Sequence, residues 1–216
     1  MTNKNTAGFN EKHSLGIRIW HWSFFILLMG SMTTVLLAST VFRTRNNTSL
    51  VQQQLKQKGL AVNTDQARAV SHAFSDKVWE LHTWIGYFVA AFLLGRFILE
   101  AFQPSDELLR TKILRAKEFP PLAPEAVREK QHYTQVKWSY ILFYFLMVIM
   151  AMTGLGMAFE NVPFLQPLHG ALKQVHSFTQ YGIYAFAFFH LMGVIIADAG
   201  RYPGLVSGMI HGKKRF

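Results

Sequence analysis

The chain has 216 residues, of which 50% are hydrophobic, 14% are aromatic and only 16% are charged. Ordinary soluble domains carry about 25% charged residues, so this composition excludes a soluble globular protein and predicts an integral membrane protein. The formal net charge is +10. We expect that charge to reflect membrane topology and contact with anionic lipid, and not the binding of nucleic acid.

Four long apolar stretches follow one another along the chain. They cover residues 17–42, 78–99, 138–159 and 178–199. Each has about 20 residues or more, which is the length that an α-helix needs to cross a hydrocarbon core about 30 Å thick. Because few residues remain outside these stretches, we expect a single domain, residues 1–216, folded as an all-α bundle of four transmembrane helices.

The segment between the first two stretches, residues 43–77, has two parts. The first part is polar and rich in glutamine. In the second part, apolar side chains recur at the three- to four-residue spacing of a helix: Ala67, Val70, Phe74 and Val78. Thr64 or Asp65 can serve as the N-cap of that helix. We therefore predict an amphipathic helix that leads into the second transmembrane helix.

Lys and Arg are divided unevenly between the two sides of the membrane. The amino terminus, the loop between the second and third stretches and the carboxyl-terminal tail carry fourteen, and the opposite side carries seven. By the positive-inside rule both termini face the cytoplasm, and residues 43–77 form an outer loop. The seven outer basic residues are Arg43, Arg45, Lys56, Lys58, Arg68, Lys77 and Lys173.

Two histidines, His176 and His190, lie fourteen residues apart in the last apolar region. Fourteen residues make nearly four helical turns, so both imidazoles face the same side and are separated along the axis by roughly 21 Å. Two planar cofactors can be placed there, one near each membrane face. Histidine inside a membrane segment is uncommon and usually functional. His21 in the first stretch and His82 in the second each offer a further ligand.

The predicted topology pairs these histidines by depth. His21 lies near the inner end of the first helix and matches His190, while His82 lies near the outer end of the second helix and matches His176. The opposite pairing would require ligands to meet across most of the bilayer. Because the chain has no cysteine, thioether attachment is excluded. We therefore interpret the four histidines as axial ligands of two noncovalently held haems b.

Two further residues are expected to contact the haems. Gly86 follows His82 by one turn and leaves a gap where a macrocycle can lie against the backbone. Arg18 precedes His21 by one turn and can pair with a haem propionate. Two other histidines near the outer face are alternatives to the outer ligands, although neither lies within an apolar stretch: His72 and His169.

Several short motifs resemble the bacterial cytochrome b561 family. They are R-I-W-H-W at Arg18–Trp22, L-H-T-W-I-G at Leu81–Gly86, and His176 and His190 with the aromatic run between them. The similarity covers nearly the whole chain and extends to the cytochrome b subunits of nickel-iron hydrogenases, formate dehydrogenases and thiosulfate reductases. The resemblance implies two haems b, an exchange site for quinone or quinol, and electron transfer across the bacterial inner membrane.

Three functional hypotheses follow. The first is an electron-transfer module that relays electrons between the quinone pool and a redox protein at the outer face. The second is a self-contained superoxide oxidase that reduces quinone, because a basic outer rim attracts small anions. The third is a haem-free membrane scaffold. We favour the first, since nothing in the chain specifies a substrate, and the sequence leaves open whether the protein is an electron-transfer subunit or a quinone-linked oxidoreductase.

Overall fold

The computed structural model describes residues 14–102, 124–200 and 203–212. Every regular element in these residues is helical. The elements are α1 (Leu15–Ser39), α2 (Thr44–Gln57), α3 (Thr64–Ala101), α4 (Pro124–Ala158), a short 3₁₀ turn (Gln166–Leu168), α5 (His169–Ala199) and α6 (Leu205–His211). Most of the basic residues that predict cytoplasmic termini lie outside the described residues, in 1–13, 103–123 and 213–216.

Four of these helical segments are long and apolar enough to cross a membrane. They are Leu15–Ser39, Thr64–Ala101, Thr134–Ala158 and Gln166–Ala199. Large apolar side chains on them are exposed, with Ile26 66%, Met152 68% and Phe189 70% accessible. Such surfaces are unfavourable in water and suit a lipid environment. The predicted all-α fold with four membrane-spanning helices is confirmed.

The described chain forms two compact units, Trp22–Phe92 and the remainder. Within the second unit α4 packs along α5. Met147 on α4 and Ile183 on α5 are almost fully buried. Glycine allows the close approach of these two helices, because a Cβ atom at Gly156 would lie 2.8 Å from Leu172 Cδ1.

The outer segment contains a helix that the sequence analysis does not predict. Residues 44–57 form α2, although we expected a polar loop there. Glutamine, leucine and lysine are good helix formers, which explains the helix. It buries no residue and its composition is polar overall, although Val51 and Leu55 lie one turn apart on the same side of the helix.

A glycine C-cap ends α2. Gly59 has a φ of 78°, in the left-handed region that favours glycine. The Gly59 N–H donates to the carbonyl of Lys56 and the Leu60 N–H donates to that of Leu55, both at 3.0 Å. These two bonds form a Schellman motif, which turns the chain towards α3.

The predicted helix in the second part of the outer segment is present and continues without a break through the second apolar stretch. It begins with a capping box. The Gln66 N–H donates to Asn63 Oδ1 at 2.8 Å, and the Asn63 N–H donates to Gln66 Oε1 at 2.9 Å. The cap is therefore Asn63, one residue before Thr64, and not Thr64 or Asp65, because the Asn63–Gln66 pair satisfies two backbone donors at once.

The buried face of this outer part of α3 also differs from the prediction. Ala67 and Ser71 are fully buried, and Ser75 is 8% exposed. By contrast, Val70 and Phe74 are exposed. The three buried residues are four apart, so small side chains occupy one face of the helix and permit close packing, whereas the larger apolar residues face outward.

The Schellman motif generates the first prediction. Replacing Gly59 with Ala places a Cβ in the left-handed region, which costs about 1–2 kcal/mol. We expect amide hydrogens of residues 55–60 to exchange roughly five- to thirtyfold faster, as measured by hydrogen–deuterium exchange with mass spectrometry. Gly59→Asn is the matched control. Its amide hydrogens should exchange more slowly than those of Gly59→Ala, because asparagine tolerates the left-handed conformation. Equal exchange rates in the two variants would contradict the assignment.

Candidate functional site

The structure brings His21 on α1 and His190 on α5 together. Their ring centroids are 6.3 Å apart and the ring planes are inclined by 51°. With a metal–nitrogen bond of about 2.0–2.1 Å, as at zinc, and about 1.1 Å from nitrogen to ring centre, two imidazoles on opposite sides of one metal place their centres roughly 6–6.5 Å apart. The observed separation therefore leaves room for a single metal ion between the rings.

Aromatic stacking fixes the orientation of His190. The Phe186 ring lies 5.7 Å from the His190 ring, with an angle of 8° between the planes. Phe186 in turn stacks on Phe143 of α4 at 4.4 Å. A ladder of three rings thus runs from α4 to His190 and restricts rotation of the imidazole.

A threonine on α1 holds His82. The Thr34 hydroxyl lies 2.9 Å from His82 Nδ1 and also donates to the carbonyl of Ser31 at 2.7 Å. A hydroxyl has one proton, so Thr34 accepts a hydrogen bond from His82 Nδ1–H while it donates to the backbone. This selects the neutral tautomer of His82 in which Nε2 carries the free lone pair, the form in which histidine can ligate a metal.

His176 has the same arrangement with α4. The Thr153 hydroxyl lies 3.0 Å from His176 Nδ1 and donates to the carbonyl of Ile149 at 2.7 Å. The next residue is Gly154, where a Cβ would lie 3.2 Å from His176 Cε1, so glycine provides the space that the imidazole fills. His176 is therefore held as the Nδ1–H tautomer, with the free lone pair on Nε2.

The sequence analysis does not identify either threonine. Thr34 and Thr153 are 3% and 7% exposed, and each lies in an apolar helix. A hydroxyl inside an apolar helix is the feature of the sequence that could reveal such a contact, since buried polar groups need a hydrogen-bond partner. Thr34 is 48 residues from His82 and Thr153 is 23 residues from His176, so the pairs become visible only when the helices are assembled.

Arg18 and Gly86 have different surroundings. The Arg18 Nη1 donates to the carbonyl of Ile210 at 3.0 Å, and the guanidinium packs so closely on Gly212 that a Cβ there would lie 2.8 Å from Arg18 Cζ. Arg18 thus interacts with the carboxyl-terminal end of α6. Its Nε is buried and has no acceptor among the described residues. A Cβ at Gly86 would meet no atom within 4 Å, which fits a gap beside His82.

The two alternative histidines each face a carboxylate. His72 Nδ1 lies 2.8 Å from Asp76 Oδ2, and His169 Nδ1 lies 3.2 Å from Glu160 Oε2. Both are partly or largely exposed. Within the described residues no three His, Asp or Glu side chains gather as a protein-only metal centre. Single histidines held by neighbouring helices suit a metal ion whose remaining ligands come from a bound cofactor and not from the protein.

Comparison with known proteins identifies the family. The family model described as prokaryotic cytochrome b561 matches residues 12–212. No curated protein and no solved structure matches the chain significantly. The match covers nearly the whole sequence, so the chain belongs to the prokaryotic cytochrome b561 family. Membership identifies it as a multi-pass membrane protein, a b-type cytochrome that takes part in electron transfer.

Proposed function

We propose that this cytochrome b561 family member holds two haems b and transfers electrons across the bacterial cytoplasmic membrane. In this proposal His21 and His190 ligate the inner haem, and His82 and His176 ligate the outer one. The quinone pool and a redox partner at the outer face exchange electrons with the protein. The observation that carries the proposal is the 6.3 Å separation of the His21 and His190 rings, which suits two axial ligands of one iron.

The residues present fit this cofactor. When bound, haem b supplies a one-electron carrier. Two imidazoles per iron fill both axial positions and leave little room for oxygen, which favours electron transfer over oxygen activation. Thr34 and Thr153 keep the outer imidazoles in the tautomer that ligates through Nε2. In this proposal the Arg18 guanidinium pairs with a propionate, and the open space at Gly86 takes the edge of a macrocycle.

We further propose that both termini face the cytoplasm. The support is the twofold excess of Lys and Arg in the amino terminus, the loop before α4 and the carboxyl-terminal tail. This orientation puts α2 and the start of α3 on the outer side of the membrane, on the same side as His82. An outer redox protein would then meet the surface nearest the outer pair of histidines.

Removing one ligand of each pair tests the proposal. We expect His190→Ala to lose the inner haem and His176→Ala to lose the outer haem, because a single remaining imidazole leaves one axial position empty. The ratio of haem to protein, measured as the pyridine haemochromogen, should fall from two to about one in each variant. His72→Ala is the control and should retain both haems. The ligand assignment fails if both ligand variants keep two haems with unchanged spectra.

The threonine contacts give a finer prediction. A hydrogen bond from Nδ1–H makes imidazole a more electron-donating ligand and stabilises ferric iron. Thr34→Val and Thr153→Val should therefore raise the reduction potential of the outer haem by tens of millivolts, where about 59 mV corresponds to a tenfold change in equilibrium for one electron. Redox titration followed by absorbance measures the shift.

Two threonines whose hydroxyls donate to a backbone carbonyl of their own helix serve as matched controls. The Thr33 hydroxyl donates to the carbonyl of Met29, and the buried Thr179 hydroxyl donates to that of Val175. Thr33→Val and Thr179→Val should leave the reduction potentials of both haems unchanged. Shifts of equal size in Thr33→Val and Thr34→Val would show that hydroxyl removal acts through the helix and not through His82.

A basic outer surface favours superoxide oxidation as a second candidate function. In the described part of the chain, Arg43, Arg45 and Arg68 form no ion pair with a carboxylate, whereas Lys77 lies 2.7 Å from Glu80. Unpaired positive charge attracts small anions and speeds their capture. The self-contained enzyme would oxidise superoxide to oxygen and pass the electron to quinone.

The test uses the purified, quinone-loaded protein without any partner, mixed with pulse-generated superoxide. If superoxide is the substrate, haem reduction should be fast and should slow as ionic strength rises, because exposed charges are screened over about 8–10 Å at physiological salt. Neutralising Arg43, Arg45 and Lys77 together should also slow it, with the two arginines contributing most. Haem reduction no faster than the uncatalysed background would exclude the superoxide-oxidase function and favour electron transfer between quinone and a redox protein.

A further inference from the structure

A cavity of about 610 Å³ opens between the end of α1, the start of α2 and the outer part of α3. This volume is in the range of small-molecule binding sites. Three of its eight lining residues are arginines and none is acidic. The lining residues, which we call the arginine cavity, are Ala38, Arg43, Thr44, Arg45, Thr48, Thr64, Arg68 and Ser75.

The charge of the arginine cavity is not neutralised by the protein. Among the described residues, no carboxylate forms an ion pair with its three guanidinium groups. Asp65 follows a lining residue but does not line the cavity itself, and Asp76 pairs with His72. Three like charges around one space repel each other, so an anion in the cavity would relieve that repulsion.

The start of α2 adds further donors. Arg43 is its N-cap residue and provides no side-chain hydrogen bond to the helix. The first N–H groups of a helix have no intrahelical acceptor, which leaves those of Thr44 and Arg45 available. Both residues line the cavity. A helix N-terminus also carries partial positive charge, which favours an anion at this position.

Ser75 is a mostly buried residue that lines the same cavity. It is 8% exposed, and its side chain forms no hydrogen bond with any other described residue. Its hydroxyl keeps some solvent access, so a molecule in the cavity can reach it. Ser75 therefore offers one further donor to an oxygen atom of a ligand.

We propose that the arginine cavity binds a phosphate group. Guanidinium groups bind phosphate oxygens in bidentate pairs, and the backbone N–H groups and the Ser75 hydroxyl supply single donors to the remaining oxygens. The phosphate belongs either to a phospholipid headgroup or to a soluble phosphate compound. Ala38 lies one residue before the end of α1, at the boundary of a membrane-spanning segment, where headgroups are found.

The experiment measures binding to the delipidated holoprotein in a neutral detergent by isothermal titration calorimetry. The two probes are inorganic phosphate and dihexanoyl phosphatidic acid below its micellar concentration. We expect saturable binding of one equivalent of at least one probe. Binding of both, with competition, indicates a site for the phosphate group itself; binding of the lipid alone identifies the headgroup as the source; and binding of phosphate alone identifies a soluble compound.

Matched variants separate the cavity from general surface charge. Arg68→Gln should weaken binding by about tenfold or more, the effect of losing one charge-assisted contact. Lys58→Gln removes the same charge from the end of α2, outside the cavity, and should change affinity less than twofold. Ser75→Ala should weaken binding severalfold. If Arg68→Gln does not fold, as judged by an altered haem spectrum, Arg45→Gln is used in its place.

Two results would overturn the proposal. One is the absence of saturable binding of either probe to the wild-type protein. The other is an equal loss of affinity in Lys58→Gln and Arg68→Gln, since that would show attraction to the basic surface as a whole. The inference does not depend on the haem ligands, because none of the four proposed ligand histidines lines the arginine cavity.

Discussion

An imidazole N–H inside an apolar helix needs a hydrogen-bond acceptor where water is scarce, and this requirement organises the site. Here a side-chain hydroxyl on a neighbouring helix supplies that acceptor. Thr34 and Thr153 meet the requirement in the same way, each donating to its own backbone and accepting from a histidine on another helix. Helix position, tautomer and the direction of the unprotonated nitrogen are therefore coupled.

Space is the second constraint on the histidines. Gly154 makes room for the His176 ring, and Gly30 lies close to Ile85, where a Cβ would be 3.5 Å from its side chain. Gly86 differs, because no protein atom would lie near its Cβ. Some glycines thus allow contact between helices, whereas Gly86 borders a gap that protein atoms do not fill.

Periodicity and length were sufficient to predict the four spanning helices, since a bilayer imposes about 20 apolar residues on each. The same reasoning placed His21 and His190 at one depth, and their rings lie side by side in the structure. It failed at α2, because the average composition of that segment is polar and its apolar residues, such as Val51 and Leu55, are few. It also misplaced the buried face of α3, because small residues such as Ser71 and Ser75 pack more closely than Phe74.

The Thr153 hydroxyl has a further consequence for how this site responds to acidity. Its proton is committed to the carbonyl of Ile149, and its lone pair accepts the Nδ1–H of His176. If Nε2 ligates a metal, as we propose, an imidazole held in this way would have no basic nitrogen left and would not itself take up a proton on reduction. A proton that accompanied the electron would then have to bind to another group.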